Sequence, residues 1–459
     1  MKKTVIAFAA LSAALLAGCT LIPKYERPAA PVADSFPYPG ASAGTPAPQL
    51  DWQAFVTDET LRKLVGIALA NNRDLRVAVL NVEQARAQVD VARANLFPTV
   101  SAAFNYTHQT STPTTPTNLY TAGLAVSAWE LDLFGRIRSL SEAAFAQYLG
   151  SEEGRKTAQM ALVAGVANTW LALVADDELL AITQDTLKTR EESLRLTRLR
   201  FENGVASEID SRQAETLYET ARATLAALRR QRAVDLDSLA LLLGAPVPAD
   251  FRTPAGMAAI SFPDIPAGVP SEVLTARPDV RQAEQQLIAA NANIGAARAA
   301  FFPHISLTAQ GGSASTSLSG LFKSGSWGWT FAPSVAMTIF DAGRNSANLR
   351  SAKVQRDIAV AQYEKSIQSA FKEVADALAG RANFGEQVDA QRRAIDADLA
   401  RVKLAQLRYD NGVASYLDLL DAQRTLFADQ QVYVQAKLAQ LQNQVQLYKA
   451  LGGGWNPTP

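Results

Sequence analysis

The strongest constraint on this 459-residue chain is that most of it is written twice. Ala92-Arg93-Ala94-Asn95-Leu96-Phe97-Pro98 returns as Ala297-Arg298-Ala299-Ala300-Phe301-Phe302-Pro303, and Arg200-Phe201-Glu202-Asn203-Gly204-Val205-Ala206-Ser207 returns as Arg408-Tyr409-Asp410-Asn411-Gly412-Val413-Ala414-Ser415. Leu243-Gly244 returns as Leu451-Gly452, so three matches keep their order at offsets of 205 to 208 residues. Self-similarity at one period means one structural unit used more than once. The two copies are read at residues 51–250 and 278–455, with a linker at 251–277.

Inside each copy, proline separates two regimes, because it costs about 3 kcal/mol in a helix interior. None occurs between Pro116 and Pro246 or between Pro333 and Pro457, and both tracts are rich in the helix formers Ala, Leu, Gln, Glu and Arg. Val166, Leu173, Leu180, Leu187, Leu194 and Phe201 recur every seventh residue, and Val388, Ile395, Val402 and Tyr409 occupy the repeat-equivalent positions of the last four. That period is a coiled-coil seam. Helices are expected at about 137–202 and 207–243, and again at about 343–410 and 415–451. The first would be about 100 Å long at about 1.5 Å per residue. Periodicity alone leaves a long coiled-coil spacer open.

Each rod must reverse at the repeated tip. Gly204 and Gly412, after Asn203 and Asn411, suit the left-handed residue that ends a helix. Ser207 and Ser415, three residues before Asp210 and Asp418, suit N-caps with an acidic capping box. The turn is short, weakly charged and exposed; this suits contact with another protein's tip and equally suits a plain helix reversal.

The remaining segments alternate small, β-branched and aromatic residues between Pro, Gly, Ser and Thr. Strands are expected at about 99–107, 120–131, 304–313 and 327–340, with turns at 109–119 and 314–326. Their lengths suit tilted membrane-crossing strands, and Tyr106, Tyr120, Trp129, Trp327, Trp329 and Phe340 near their ends suit interfacial girdles. A β-domain outside the membrane fits the same pattern. Four strands do not close a barrel, and open edges are forbidden in lipid, so several chains must combine. Three would give an even twelve.

The N-terminus supplies the compartment. Lys2 and Lys3, an apolar run from Val5 to Leu16, and Ala17-Gly18 ahead of the single Cys19 have the layout of a signal peptide at 1–18. Leu16-Ala17-Gly18-Cys19 resembles the bacterial lipobox, which implies a covalent lipid on Cys19; Thr20 in the next position implies sorting to the outer membrane. Seven prolines between 20 and 50 read as an extended tether at 19–50. No later stretch offers some twenty uninterrupted apolar residues.

Charge and chemistry exclude other classes. Lys plus Arg and Asp plus Glu are each 44, and loss of Lys2 and Lys3 leaves 42 against 44, so nothing attracts nucleic acid. His108 and His304 are the only histidines, which leaves no His-based metal cluster or catalytic triad. Ser369 and Lys372 have serine-lysine spacing but lie within an expected long helix, and Gly452-Gly453-Gly454 follows a helix where a phosphate loop would open one. The chain is read as a non-enzyme, without metal or cofactor.

The repeat also offers an internal control. Where the first copy has Ile209, Gln213 and Thr216, the second has Leu417, Asp421 and Arg424 on one helix face. If that face lines a narrow end, threefold symmetry gathers three Asp421 carboxylates, which repel unless spread, hydrated or paired with Arg424, and which favour cations. A solvated pair on a helix exterior fits the same residues.

The lipobox, the proline-rich tether, Trp129-Glu130-Leu131-Asp132-Leu133-Phe134-Gly135-Arg136, Leu420-Asp421-Ala422-Gln423-Arg424 and Gly452-Gly453-Gly454-Trp455 together resemble the TolC family, in particular its OprM-like efflux lipoproteins, over residues 16–455. The resemblance implies a mainly α fold with a transmembrane β part. It would be a homotrimer whose twelve-stranded barrel, four strands per chain, continues as a periplasmic α-helical barrel. It further implies the exit duct of a tripartite pump, with a periplasmic adaptor and an inner-membrane transporter of the resistance-nodulation-division class. Leu417, Asp421 and Arg424 match the family's constriction, Asp176 and Tyr409 its latching partners, and the tips 203–207 and 411–415 the end where the adaptor docks. A type I protein secretion channel and a non-channel envelope spacer are the competing readings.

Overall fold

A computed structural model describes residues 20–40, 44–111, 115–268 and 270–455. The expected leader and Cys19 lie outside the described residues. The repeat is explicit in the order of elements. After α1 (Glu59–Asn71), the run α2 (Arg73–Ala94), β1 (Val100–Ser111), β2 (Thr115–Glu130), α3 (Arg136–Glu202) and α4 (Glu208–Leu243) returns as α5 (Pro278–Ala299), β3 (His304–Ser315), β4 (Trp327–Ala336), α6 (Arg344–Asp410) and α7 (Tyr416–Ala450). Helices α3 and α6 are each 67 residues, about 100 Å at about 1.5 Å per residue.

The chain divides into two compact units, and both repeats contribute to each. The first comprises 20–29, Leu80–Glu153 and Arg281–Lys365. Its four strands form one antiparallel sheet in the order β1-β2-β3-β4, so β1 and β4 are its edges. Every residue of β4 is exposed, with Trp327, Trp329, Phe331 and Val335 all more than half accessible. Gly123 faces Gly312 in the central pair; a Cβ on Gly123 would come within 2.7 Å of the Gly312 Cα, so the two backbones approach as only glycine allows. Beyond Val126 the β2–β3 register slips at Ser127 and Ala128, and Ala128 has φ 46°. This is a bulge.

Strand ends differ from expectation in two places. The first hairpin runs on through the expected turn, with Ser111 opposite Thr115, because threonine favours a strand once a partner is opposite. β4 stops at Ala336, short of the expected 340, because Ala336 pairs with His304, the first residue of β3, and no strand borders β4 on its other side.

The first residues of the expected tether are docked on α5. Arg27 donates from Nε and Nη2 to Glu284 (2.7 and 2.9 Å), to which the Tyr25 hydroxyl also donates (2.9 Å). Asn291 and Arg298, further along α5, donate to the carbonyls of Pro23 and Leu21 (2.7 and 3.1 Å). A chain without a core of its own is thereby held by a helix face.

The second unit comprises Ala30–Val79, Gly154–Val280 and 366–455. Its core gathers Phe55, Leu61 and Leu64 with Trp170, Leu171 and Leu173 of α3, Leu239 and Leu243 of α4, and Tyr448 of α7. Phe55 stacks on the Tyr448 ring at 4.0 Å. One stretch of α3 is long and on average apolar enough to cross a membrane by composition. Most of it is buried within the chain, and Val163, Val166, Trp170 and Val174 belong to this core.

Candidate functional site

The expected functional residues cluster where the long helices reverse. At the first tip Gly204 takes φ 72°; its N–H donates to Phe201 O, that of Val205 to Arg200 O, and Asn203 Nδ2 to Leu199 O. At the second, Gly412 takes φ 71° with the matching bonds to Tyr409 O and Arg408 O and from Asn411 to Leu407 O. Ser207 and Ser415 each complete a capping box with Asp210 and Asp418. The turn's polar groups are thus largely satisfied internally. The apolar side chains that Asn203–Ser207 and Asn411–Ser415 expose are Val205 (77% exposed) and Val413 (65%), each followed by a half-buried alanine.

Just inside the second tip, Leu417 is 59% exposed and Asp421 is held between two guanidiniums. Arg401 Nη2 of α6 lies 2.5 Å from Asp421 Oδ2, and Arg424 Nη2 lies 3.0 Å from Oδ1. Arg401, ahead of Arg424, holds the Asp421 carboxyl below its ordinary range. Arg401 also reaches Asp398 at 4.0 Å. Asp398 is buried and its carboxyl is pushed up, first by burial and then by Asp429 alongside. Tyr409 packs against Tyr416 at 5.3 Å with the Arg200 guanidinium 5.0 Å above its ring, and Tyr416 Oη bonds Ser193 (2.6 Å).

The structure therefore brings Leu417, Asp421, Arg424 and Tyr409 to one end of the unit. It does not bring Asp176. That residue lies 26 positions before the end of α3, about 39 Å along the helix at about 1.5 Å per residue. It is buried, and burial followed by Asp235 across on α4 raises its carboxyl to about 7. Within one chain Asp176 and Tyr409 are therefore not brought together. Asp185, nine residues nearer the tip, lines a groove with Tyr409, Tyr416 and Gln423, as do Glu192 and Asp410.

Arg401 is the larger omission. Its repeat counterpart is Ser193, so the comparison that singled out Asp421 and Arg424 singles it out too. A second omission is the polar seam of α3. Asp176, Thr183, Arg190 and Thr197 are buried at seven-residue spacing, whereas Leu187, Leu194 and Phe201 of the apolar heptad are not. Among the described residues no carboxylate pairs with Arg190; it donates to Leu217 O (2.9 Å) and lies 4.9 Å over the Phe427 ring. Among the described residues, no group of His, Cys, Asp and Glu is arranged to hold a metal ion.

Known proteins share this architecture. The antibiotic efflux pump outer membrane protein ArpC of Pseudomonas putida is 48% identical over 471 residues, covering 99% of this chain and 96% of ArpC. The solvent efflux pump outer membrane protein SrpC of the same species is 48% identical over 457 residues, covering 96% and 97%. The open state of the Neisseria gonorrhoeae MtrE outer membrane channel superposes with a TM-score of 0.89 at 41% identity, covering 95% of this chain and 99% of that one. The family model described as outer membrane efflux protein matches residues 64–245 and 269–453, one segment to each repeat. On this evidence the chain belongs to the outer membrane efflux protein family.

Proposed function

We propose that the chain is one of three identical subunits of an outer-membrane duct through which an efflux pump expels antibiotics and organic solvents. One observation carries the reading: a sheet with two unpaired edges, joined to helices about 100 Å long. In lipid each unpaired backbone group costs several kcal/mol, so the edges must find partner strands, and three copies supply twelve. The helices then line a passage continuing away from the membrane. Tips 203–207 and 411–415 meet a periplasmic adaptor. A resistance-nodulation-division transporter in the inner membrane supplies the energy, and the duct itself performs no reaction. Cys19 carries the lipid, and the docked segment 20–29 ties that anchor to α5.

Disruption of the gene is expected to raise susceptibility to a panel of antibiotics, dyes and solvents, restored by the gene in trans. Unaltered tolerance across the panel, with loss of a secreted protein, would favour type I secretion instead.

A further inference from the structure

The two sheet edges meet in a register that the internal repeat determines. β2 and β3 belong to different repeats and pair within one chain; β4 and the β1 of another copy are their counterparts. The first hairpin pairs Val100 with Val126 and the second pairs Ile305 with Val335. With Pro98 matching Pro303, Val126 therefore matches Val335. Below the bulge the match is fixed separately, because Gly135-Arg136 returns as Gly343-Arg344 with φ 72° and 85° at the two glycines. That equates Trp129 with Met337. Between these anchors β2 has two residues, Ser127 and Ala128, where β4 has only Ala336.

The missing residue removes the bulge. Transferring the pair Val126–Ala309 sets Val335 opposite Phe104; transferring Trp129–Leu307 and Glu130–Ser306 sets Met337 opposite Ala102 and Thr338 opposite Ser101. The upper and lower transfers were anchored independently, yet they lie on one uninterrupted register. We infer that β4 of one copy pairs with β1 of a second copy in a continuous, unbulged antiparallel ladder, with Ser334 opposite Asn105 and Thr338 opposite Ser101. This rests on the trimeric reading and specifies its seam.

A further observation agrees. Among the described residues Ile339 and Phe340, each 87% exposed, have no strand partner, whereas Leu131, the counterpart of Ile339, donates its N–H to Ile305 O (2.8 Å). The seam gives Ile339 the equivalent partner, Val100. Pro333 costs the seam one bond. Ala314 donates to Ser326 O, so the even-numbered residues of β3 and β4 bond each other and Pro333 turns its donor-less nitrogen to the open edge. In the seam that nitrogen faces Tyr106 of the second copy, and the ladder lacks a donor at this one pair.

Ser334–Asn105 and Thr338–Ser101 are non-hydrogen-bonded pairs in this register, with Cα atoms about 4.5 Å apart, within disulfide reach. Within one chain the edges are three strand spacings apart, about 14 Å, so only an intermolecular bond forms. Full-length N105C/S334C and S101C/T338C proteins, oxidised in outer membranes, are expected to give reducible covalent trimers, whereas the single-cysteine variants do not. A seam that copied the bulge would shift one side only, replacing N105C/S334C by F104C/S334C or S101C/T338C by A102C/T338C, and either replacement overturns the register. Silence of both pairs in a protein that sediments as a trimer also overturns it. A wild-type protein that sediments as a monomer overturns the trimeric reading itself.

Discussion

Asp176 and Asp235 face each other from α3 and α4 with Asp177 and Arg232 nearby. Asp177 is engaged by Arg232 and by the Thr253 hydroxyl, so Arg232 does little for Asp176. A buried carboxyl beside a second, half-buried one does not ionise cheaply, and Asp176 keeps its proton to near neutrality. The folded-state pKa of Asp176, about 7, is above its ordinary value of 3.8. The stabilising contribution is therefore complete below pH 4 and is lost as pH rises through 7. Melting temperature is expected to fall between about pH 5 and 7 in the wild type and to level off above, with a stability slope of at most about 1.4 kcal/mol per pH unit per chain. Asp176→Asn, which keeps the shape without the charge, is expected to flatten that slope; an unchanged slope in the variant would assign the titration elsewhere.

At the scale of elements, the tips owe their geometry to interactions within a few residues, and these are the parts legible in the sequence. Asn-Gly followed by Ser-x-x-Asp contains the stop, the turn and the restart, and both capping boxes form. Ser415→Ala removes one and is expected to cost about 1 kcal/mol. The readout is faster hydrogen exchange in the first turn of α7, with the first tip at Ser207 unaltered as the internal reference. Heptads were legible for a different reason: Val166 and Leu173 sit in the core because apolar periodicity reports burial. Toward the tip the same pattern misleads. There the buried positions are Thr183, Arg190 and Thr197, and Phe201 is 40% exposed. Hydrophobicity identifies a face only where apolar side chains cover it; where Arg190 is covered by Phe427, burial depends on a helix more than two hundred residues away. Arg401 and Asp421 likewise meet across a helical hairpin, which no local pattern records. β4 was overextended because its last residues await a strand that one chain does not contain.

At the scale of the whole molecule, a threefold axis turns a small asymmetry between repeats into a ring. The second repeat carries Arg401, Asp421 and Arg424 where the first carries Ser193, Gln213 and Thr216. Three copies therefore alternate hairpin ends charged at these three positions with ends neutral at them. Within each charged end Asp421 is paired with Arg401 and Arg424 and Leu417 is exposed; if these ends line the axis, the pairing limits repulsion among the three Asp421 carboxylates. Asp421→Ala with Arg424→Ala removes the ties to α6 and is expected to raise single-channel conductance in planar bilayers. Arg401→Ala alone leaves an extra negative charge per subunit, three per ring, and is expected to shift the reversal potential in a KCl gradient toward cation selectivity. Conductance and reversal potential both unchanged would place these residues off the permeation path. A change in reversal potential without one in conductance would keep Asp421 on the path and give the narrowest passage to Leu417, which Leu417→Ala then tests by the same recording.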